Sequence, residues 1–375
     1  MLKTEKKVEY LELIYDLIFV YIIGRNNTLL HEIENGFVDW KTFLLYLTCG
    51  LAIIQIWSFT TFYTNLYGRN SVRDHIFIFL NMYFLYYIAN GMGQGYGDRY
   101  EQYYAAWALI LINIGVQYII EFRKHKDSIG DRRIIKGLMI GLFGEAFLVL
   151  ASIPIHRLTG VSVSLVAILY GIVSIWALTN NKTKENLVDF THLTERAMLY
   201  VVFTFGEMII IIAPYFEREI TANSVYFSTM GFLMVVGLFL CYEMLYDHII
   251  DRETSKGSML YMFLHIFLIL GLNLITASLE FMRNEEVALM PKTIFLIVSF
   301  LLTFACMFLL LRFAKPEMQR CRKLIIRVII TSVIFAVLMI LLRANMYLNI
   351  LLSAVYIYSQ YLLLYMFKNQ RRIGK

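Results

Sequence analysis

Several ionisable side chains lie inside segments of this chain that are apolar and long enough to cross a lipid bilayer. The clearest is Glu207, within the segment from His192 to Pro214. An ionisable group at that depth is costly, so it is expected to face a partner or a hydrated path. Carboxyl and imidazole groups in such a place can carry a proton or a small cation. The candidate residues are Glu12, Asp16, Glu145, His192, Glu195, Arg196, Glu207, Asp247 and His265.

The candidates between His192 and Glu207 share one face of a predicted helix. At about 100° per residue, with His192 at zero, Arg196 falls at about 40° and Glu207 at about 60°. The helical rise puts Glu207 about 16 Å beyond Arg196 and near the bilayer midplane. Direct pairing between them is therefore excluded, and Glu207 needs another partner, a bound proton or a cation.

Depth alone identifies possible neighbours for these groups. Glu12 and Asp16 are four residues apart and share a face near the predicted cytoplasmic end of the first helix. Asp247 lies at the same end of the eighth helix, His265 lies one to two turns inside the ninth, and Glu145 lies at midplane depth on the fifth. If these helices meet, the cytoplasmic half of the bundle contains an acidic vestibule lined by histidines.

Each of these positions also has a structural alternative. Glu12 and Asp16 could instead fix a helix packing contact. Their partners would then be Lys6, Lys7 or Arg196. Asp247 could stay in headgroup water, and His265 could be a hydrogen-bonded packing residue.

The composition indicates a polytopic membrane protein. Of 375 residues 59% are hydrophobic, 17% are charged and four are proline, with a mean hydropathy of +0.62. About twelve stretches reach the roughly 20 apolar residues that a helix needs to cross a hydrocarbon core of about 30 Å. Because alternating β-barrel patterning is absent, an all-α transmembrane helix bundle is predicted. The predicted spans are 10–30, 40–66, 74–94, 103–122, 134–155, 160–178, 196–216, 224–248, 258–281, 292–314, 324–342 and 346–367.

The distribution of Lys and Arg predicts the orientation of this bundle. Of the 34 such residues, 25 lie in the two tails and in the alternate loops that share their side. Eight lie in the opposite loops, and Arg196 lies at a helix start. The side richer in Lys and Arg is cytoplasmic, so both termini are predicted to be cytoplasmic. This asymmetry accounts for the net charge of +6, and no nucleic-acid partner is expected.

The connecting segments are short, so a single integral-membrane domain, 1–375, is predicted. Possible halves are 1–180 and 190–375. These halves are suggested by a short internal sequence similarity. Phe143-Gly144-Glu145 and Phe205-Gly206-Glu207 are each followed by an apolar run that ends near a proline. Both glutamates would reach similar depth, but three matching residues leave the duplication open.

The sequence lacks the motifs of several common sites. No His-x-x-x-His pair, His-Glu-x-x-His run or paired cysteine spacing occurs, so neither a metal site nor a disulfide framework is expected. No P-loop, dinucleotide glycine signature or G-x-S-x-G elbow appears in suitable context, and no cofactor is expected. The first apolar segment carries Glu12 and Asp16 and lacks a small-residue cleavage site, so it is predicted to be a retained helix.

Several spaced motifs resemble the bacterial low-temperature-requirement A (LtrA) family. Residues 10–20, YLELIYDLIFV, resemble the opening signature of that family. Residues 192–200, HLTERAMLY, and 205–207, FGE, resemble its H-x-x-E-R run and the motif that follows. The resemblance implies a multi-pass protein of the bacterial plasma membrane, linked by name to growth in the cold. Further similar positions are 245–247, His265, Gly271 and Glu280.

Two classes of function remain open. In the first, the protein is a transporter or channel in which the buried carboxyl groups and His265 carry a proton or cation through the bundle. In the second, it is a membrane enzyme or assembly factor that acts on a lipid or isoprenoid phosphate held by Arg196 and the basic loops. The buried acids favour the first class, and membrane lipids are expected partners in both.

Overall fold

Twelve α-helices make up almost all of the part of the chain that the structure describes. The computed structural model describes residues 6–92, 96–125, 128–179, 188–216, 220–253, 257–319 and 321–373. The all-α class predicted from composition is confirmed. The helices are α1 (Tyr10–Asn27), α2 (Trp40–Tyr67), α3 (Val72–Gly91), α4 (Tyr96–Lys124), α5 (Ile129–Thr159), α6 (Ser164–Thr179), α7 (Phe190–Ile212), α8 (Ala222–Glu243), α9 (Ser258–Arg283), α10 (Leu289–Leu309), α11 (Arg322–Leu341) and α12 (Met346–Ile373).

The predicted spans and the observed helices differ mainly at their ends. One such difference is at α7, which begins at Phe190 and not near residue 196. Asp189 precedes this helix, and its Oδ1 accepts a hydrogen bond from the backbone N–H of His192 at 3.1 Å. A capping aspartate satisfies an N–H group that has no partner within the helix, so a polar first turn can form before the apolar run begins.

A short β-hairpin between α1 and α2 was not predicted. Its strands are β1 (Ile33–Glu34) and β2 (Phe37–Val38), paired antiparallel around Asn35 and Gly36. Both turn residues have positive φ, 52° and 84°. Asn-Gly is a typical sequence for a two-residue hairpin turn with this geometry, so the signal was present in the sequence.

Eight of the described helices are long and apolar enough to cross a membrane. They are α2, α4, α5 and α8 to α12, where α8 is counted with the π-helical segment Met244–Ile249 that continues it. Among the remaining four, α6 has only 16 residues. Helices α1 and α7 carry most of the candidate ionisable residues. The chain is therefore a multi-pass membrane protein, as predicted.

The chain divides into two compact units, and two of the boundaries between them fall inside α7 and α9. In the first unit α1 packs against α2 and α3, α4 packs against α3 and α5, and α5 packs against α6. In the second unit α12 packs against α8 and α11, and α11 packs against α10. The first unit comprises Met1–Glu32, Trp40–Ala197 and Ser255–Met262, and the second comprises Ile33–Asp39, Met198–Thr254 and Phe263–Lys375.

Candidate functional site

Arg196 lies at the centre of a buried group of charged residues in the first unit. Its Nε and Nη2 donate to the two carboxylate oxygens of Asp16 at 3.0 and 2.6 Å. Its Nη1 lies 3.0 Å from Oε1 of Glu12. Arg196 and Asp16 are fully buried and Glu12 is 4% exposed, so these charges depend on one another for stabilisation. Glu12, Asp16, His192 and Arg196 are called the acid–arginine cluster below.

His192 completes this cluster and is held in one tautomer. Asn65 accepts from the backbone N–H of Asp189 through Oδ1, at 3.1 Å, so its amide nitrogen faces His192 Nδ1, also at 3.1 Å. An amide nitrogen donates, so His192 Nδ1 accepts and the ring proton lies on Nε2. His192 Nε2 is 3.1 Å from Oε2 of Glu12 and donates to it. His192 is therefore neutral in this arrangement.

The register of α1 and α7 explains why the four cluster residues meet in two pairs. Glu12 is the third residue of α1 and His192 is the third residue of α7. Asp16 and Arg196 each follow four residues later, hence on the same face and one turn deeper. Since both helices begin at this end of the unit, Glu12 is level with His192, and Asp16 is level with Arg196.

Helix α2 supplies the neutral partners of the cluster. The indole N–H of Trp57 donates to Oδ1 of Asp16 at 2.8 Å, and Arg196 Nη1 lies 3.4 Å from Oγ1 of Thr64. The guanidinium carbon of Arg196 is 6.0 Å from the centre of the Trp57 ring, within range of a cation–π interaction. Trp57 thus supplies a neutral donor to Asp16, and Thr64 supplies Arg196 with an acceptor besides the two carboxylates.

Lys6 lies beside the cluster, at the point where α2 ends. Its Nζ donates to the backbone oxygens of Thr64 and of Gly68, the second at 2.9 Å. Its backbone N–H donates to Oδ2 of Asp189 at 3.3 Å. Burial lowers the pKa of the Lys6 ammonium because the group loses hydration, and the negative charge of Glu12 opposes that shift. Lys6 thus stabilises the last carbonyl groups of α2.

Glu145 forms a second buried acidic position in the first unit. Its Oε2 accepts from Nε2 of Gln55 at 3.1 Å. Its Oε1 has no hydrogen-bond partner among the described residues. A Cβ atom added at Gly171 of α6 would overlap Oε2, so a glycine is what lets α6 approach the carboxyl group. Glu145 is thus fully buried, and no described Lys or Arg side chain forms an ion pair with it.

Glu207 belongs to the second unit and has a different environment. It is 6% exposed, and no hydrogen bond from a described residue reaches its carboxylate. Glu280 of α9 is close enough to interact with it electrostatically. Two carboxylates that interact in this way share a site more favourably when one is protonated. Glu195 is a partly exposed residue of α7.

The last two candidates, Asp247 and His265, lie in the second unit and have local partners. The side chain of Asp247 is 47% exposed, and its Oδ1 is 3.6 Å from Nη1 of Arg252. His265 is fully buried, and its Nε2 is 3.0 Å from the hydroxyl of Tyr242. The structure therefore brings together four of the nine predicted residues in the first unit, while Asp247 lies at the surface.

The polar residues of α2 were missed by the sequence reasoning. Gln55, Trp57, Thr64 and Asn65 each contact a predicted residue, yet their own helix is apolar enough to span a membrane. Their recurrence every few residues in an apolar segment was a visible signal, since buried polar groups need partners.

No metal-binding group of three or more His, Cys, Asp and Glu side chains occurs among the described residues. The cluster residues instead form hydrogen bonds and ion pairs with one another and with the described partners on α2. Any species bound here must therefore compete with or complete an existing hydrogen-bond network.

A bundle of twelve described helices, eight of them able to span a bilayer, with ionisable residues buried at its helix ends, defines a polytopic integral membrane protein. The chain belongs to the bacterial low temperature requirement A (LtrA) family, whose family model matches residues 7–359. This confirms the family predicted from the motifs. Comparisons with curated proteins and with solved structures give no match.

Proposed function

We propose that this protein carries a proton or a small cation across the bacterial plasma membrane through the buried carboxyl groups of its first unit. The observation that carries the proposal is that the acid–arginine cluster holds two carboxyl groups against one guanidinium group. Ionised Glu12 and Asp16 contribute two negative charges, Arg196 contributes one positive charge, and neutral His192 contributes none. Lys6 and Asp189 beside the cluster cancel each other. One proton or monovalent cation would neutralise the remaining charge, which burial makes costly.

Polar contacts at several depths of α2 support a path beyond the cluster, with Trp57 and Gln55 on opposite faces of this helix. Asn65 contacts His192, Trp57 contacts Asp16, and Gln55 contacts Glu145. From residue 65 to residue 55 the helix rises about 15 Å, which is half of a hydrocarbon core of about 30 Å. This single helix therefore links both buried acidic positions of the first unit.

Unpaired polar atoms also occur on α2 and beside Glu145. Thr61 Oγ1, Gln55 Oε1 and Glu145 Oε1 are buried and have no hydrogen-bond partner among the described residues. An unpaired buried polar atom costs about 1–3 kcal/mol. A proton on Glu145, or hydration along α2, would remove part of that cost. These atoms favour a path that is hydrated or protonated during transport.

The alternative, an enzyme or assembly factor that holds a lipid or isoprenoid phosphate with Arg196, has less support. All three guanidinium nitrogens of Arg196 already face Asp16, Glu12 or Thr64. A phosphate would have to displace two carboxylates from a buried site. In the structural alternative, the acid–arginine cluster only fixes a helix packing contact, and no transport is predicted. The liposome experiment below distinguishes this alternative from the proposal.

The proposed transport supports growth in the cold, the property for which the family is named. Cooling stiffens the membrane, so a step that moves protons or cations becomes limiting sooner. We expect a strain that lacks the gene to show altered intracellular pH or cation content when it is grown in the cold. Normal pH and cation content in cold-grown cells of that strain would contradict this link.

Transport is tested with the purified protein in liposomes that contain a dye sensitive to H⁺, Na⁺ or K⁺, each under an imposed gradient of the same ion. We expect the Glu145→Gln variant to lower the flux at least about tenfold, because an amide neither exchanges a proton nor offers a negative charge to a cation. Glu101→Gln is the matched control, since Glu101 is a surface carboxylate of α4 paired with Arg157. Absence of flux through the native protein under all three gradients, or full flux through Glu145→Gln, would overturn the proposal.

A further inference from the structure

An open cavity of about 990 Å³ lies where α11 begins, in the second unit. Arg322, Lys323 and Arg327 line it, together with Gln319 and Gln370. No Asp or Glu is among its lining residues. The three basic side chains are exposed, and no described residue forms an ion pair with them. The cavity therefore presents three unneutralised positive charges.

An apolar groove of about 570 Å³ lies between α10 and α11, next to this cavity. The two share Ile325 as a lining residue. Apart from Ser332, the groove is lined by apolar side chains, from Leu301 to Leu309 on α10 and from Ile325 to Val337 on α11. Twelve residues of helix rise about 18 Å, close to the depth of one leaflet, which is about 15 Å.

The groove lies on a part of the unit that faces the hydrocarbon. In the span of α11, 22% of the residues are buried, and Ile329, Val333 and Val337 are more than half exposed. A lipid chain can therefore enter from the side, without passing through the protein. The polar end of the same lipid would then lie at the level of the basic cavity.

We propose that the cavity and the groove together bind one anionic phospholipid, with its phosphate among Arg322, Lys323 and Arg327 and one acyl chain between α10 and α11. Three unpaired cations favour a headgroup with net negative charge over a zwitterionic one, whose own cation they would repel. The positive end of α11 adds to this preference. The predicted orientation places this end in the cytoplasmic leaflet, where anionic lipids attract basic segments.

The basic end of this site is tested by lipid binding to the full protein in nanodiscs, with phosphatidylglycerol titrated into phosphatidylcholine. We expect the triple variant Arg322→Gln, Lys323→Gln, Arg327→Gln to lose affinity for phosphatidylglycerol on the order of a hundredfold. The matched control, Arg132→Gln, Arg133→Gln, Lys136→Gln, removes three charges from α5 on the same predicted side. A loss of equal size in the control would overturn the proposal, because binding would then follow total charge.

The groove is tested separately with Ala336→Trp, which fills it and keeps all three charges. We expect this variant to bind phosphatidylglycerol about tenfold more weakly than the native protein, while circular dichroism remains unchanged. Inorganic phosphate at millimolar concentration should compete poorly with the lipid, because it cannot use the groove. Unchanged lipid binding by Ala336→Trp would overturn the proposal that an acyl chain occupies the groove. Displacement of the lipid by millimolar inorganic phosphate would also overturn the proposal and would indicate a site for free phosphate.

Discussion

At the scale of the residue, Arg196 matters because it is a cation without access to water. The buried positive charge of Arg196 is stabilised by Asp16 and Glu12, which have themselves lost their hydration. Removing one partner of a buried ion pair leaves an uncompensated charge, whereas removing both partners leaves an apolar space. The two changes should therefore have very different effects on folding.

We expect Asp16→Leu alone to destabilise the protein by about 3–5 kcal/mol, and Arg196→Met alone by a similar amount. The double variant should be less destabilised than the sum of the two, because neither member of the Asp16–Arg196 pair is then left without the other. Thermal unfolding in detergent measures all three, with Asp247→Leu as a control at an exposed, weakly paired carboxylate. Additive effects of the two cluster variants would contradict a direct ion pair.

The candidate residues were predictable from their types and depth, but their partners were predictable only in part. Arg196 was among the possible partners of Glu12 and Asp16, since helical spacing gives the face on which each residue lies. Spacing does not say which helix covers that face. Trp57 and Asn65 therefore emerged only from the packing of α1, α2 and α7.

At the scale of the element, the approach of α6 to α5 depends on Gly171. The Glu145 carboxyl group and the Gln55 amide fill the space where a side chain at this position would lie. Such a contact couples three helices, because α2 supplies Gln55, α5 supplies Glu145 and α6 supplies the glycine. A single methyl group at this position should disturb all three.

We expect Gly171→Ala to lower the apparent melting temperature in detergent by several degrees and to reduce flux as Glu145→Gln does, because the methyl group displaces Glu145 from Gln55. The matched control is Gly130→Ala near the start of α5, where a Cβ meets no atom within 4 Å. That change should be neutral or slightly stabilising, since alanine favours a helix over glycine. Equal melting temperatures for the two variants would contradict the close contact at Gly171.

Helix positions were predictable because membrane thickness fixes the length of an apolar segment. The helix ends were less predictable, because capping contacts such as the one between Asp189 and His192 can add a polar turn before the apolar run. The hairpin at Asn35 and Gly36 is too short to appear as a periodic pattern. It depends on two backbone conformations with positive φ.

At the scale of the whole molecule, the family match extends over residues 7–359 and so includes both compact units. The acid–arginine cluster and Glu145 lie in the first unit, and the basic cavity lies in the second. The excess of Lys and Arg in alternate loops predicts that the start of α11 is cytoplasmic and that its end is external.

The orientation is tested by cysteine labelling in intact cells with a maleimide that cannot cross membranes. The background carries Cys321→Ser, because Cys49, Cys241 and Cys306 are buried. We expect Arg343→Cys, after α11, to be labelled from outside. Gln319→Cys, before α11, should react only after the cells are opened. The reverse pattern would mean that both termini face outward.

The pairing of α1 with α7 has a consequence for biosynthesis. Asp16 and Arg196 are 180 residues apart, so at about 5–20 residues per second roughly 10–35 s of translation separate them. During that interval α1 carries two acidic side chains whose cation has not yet been made. Helix α1 therefore cannot complete its buried ion pairs until α7 has been made.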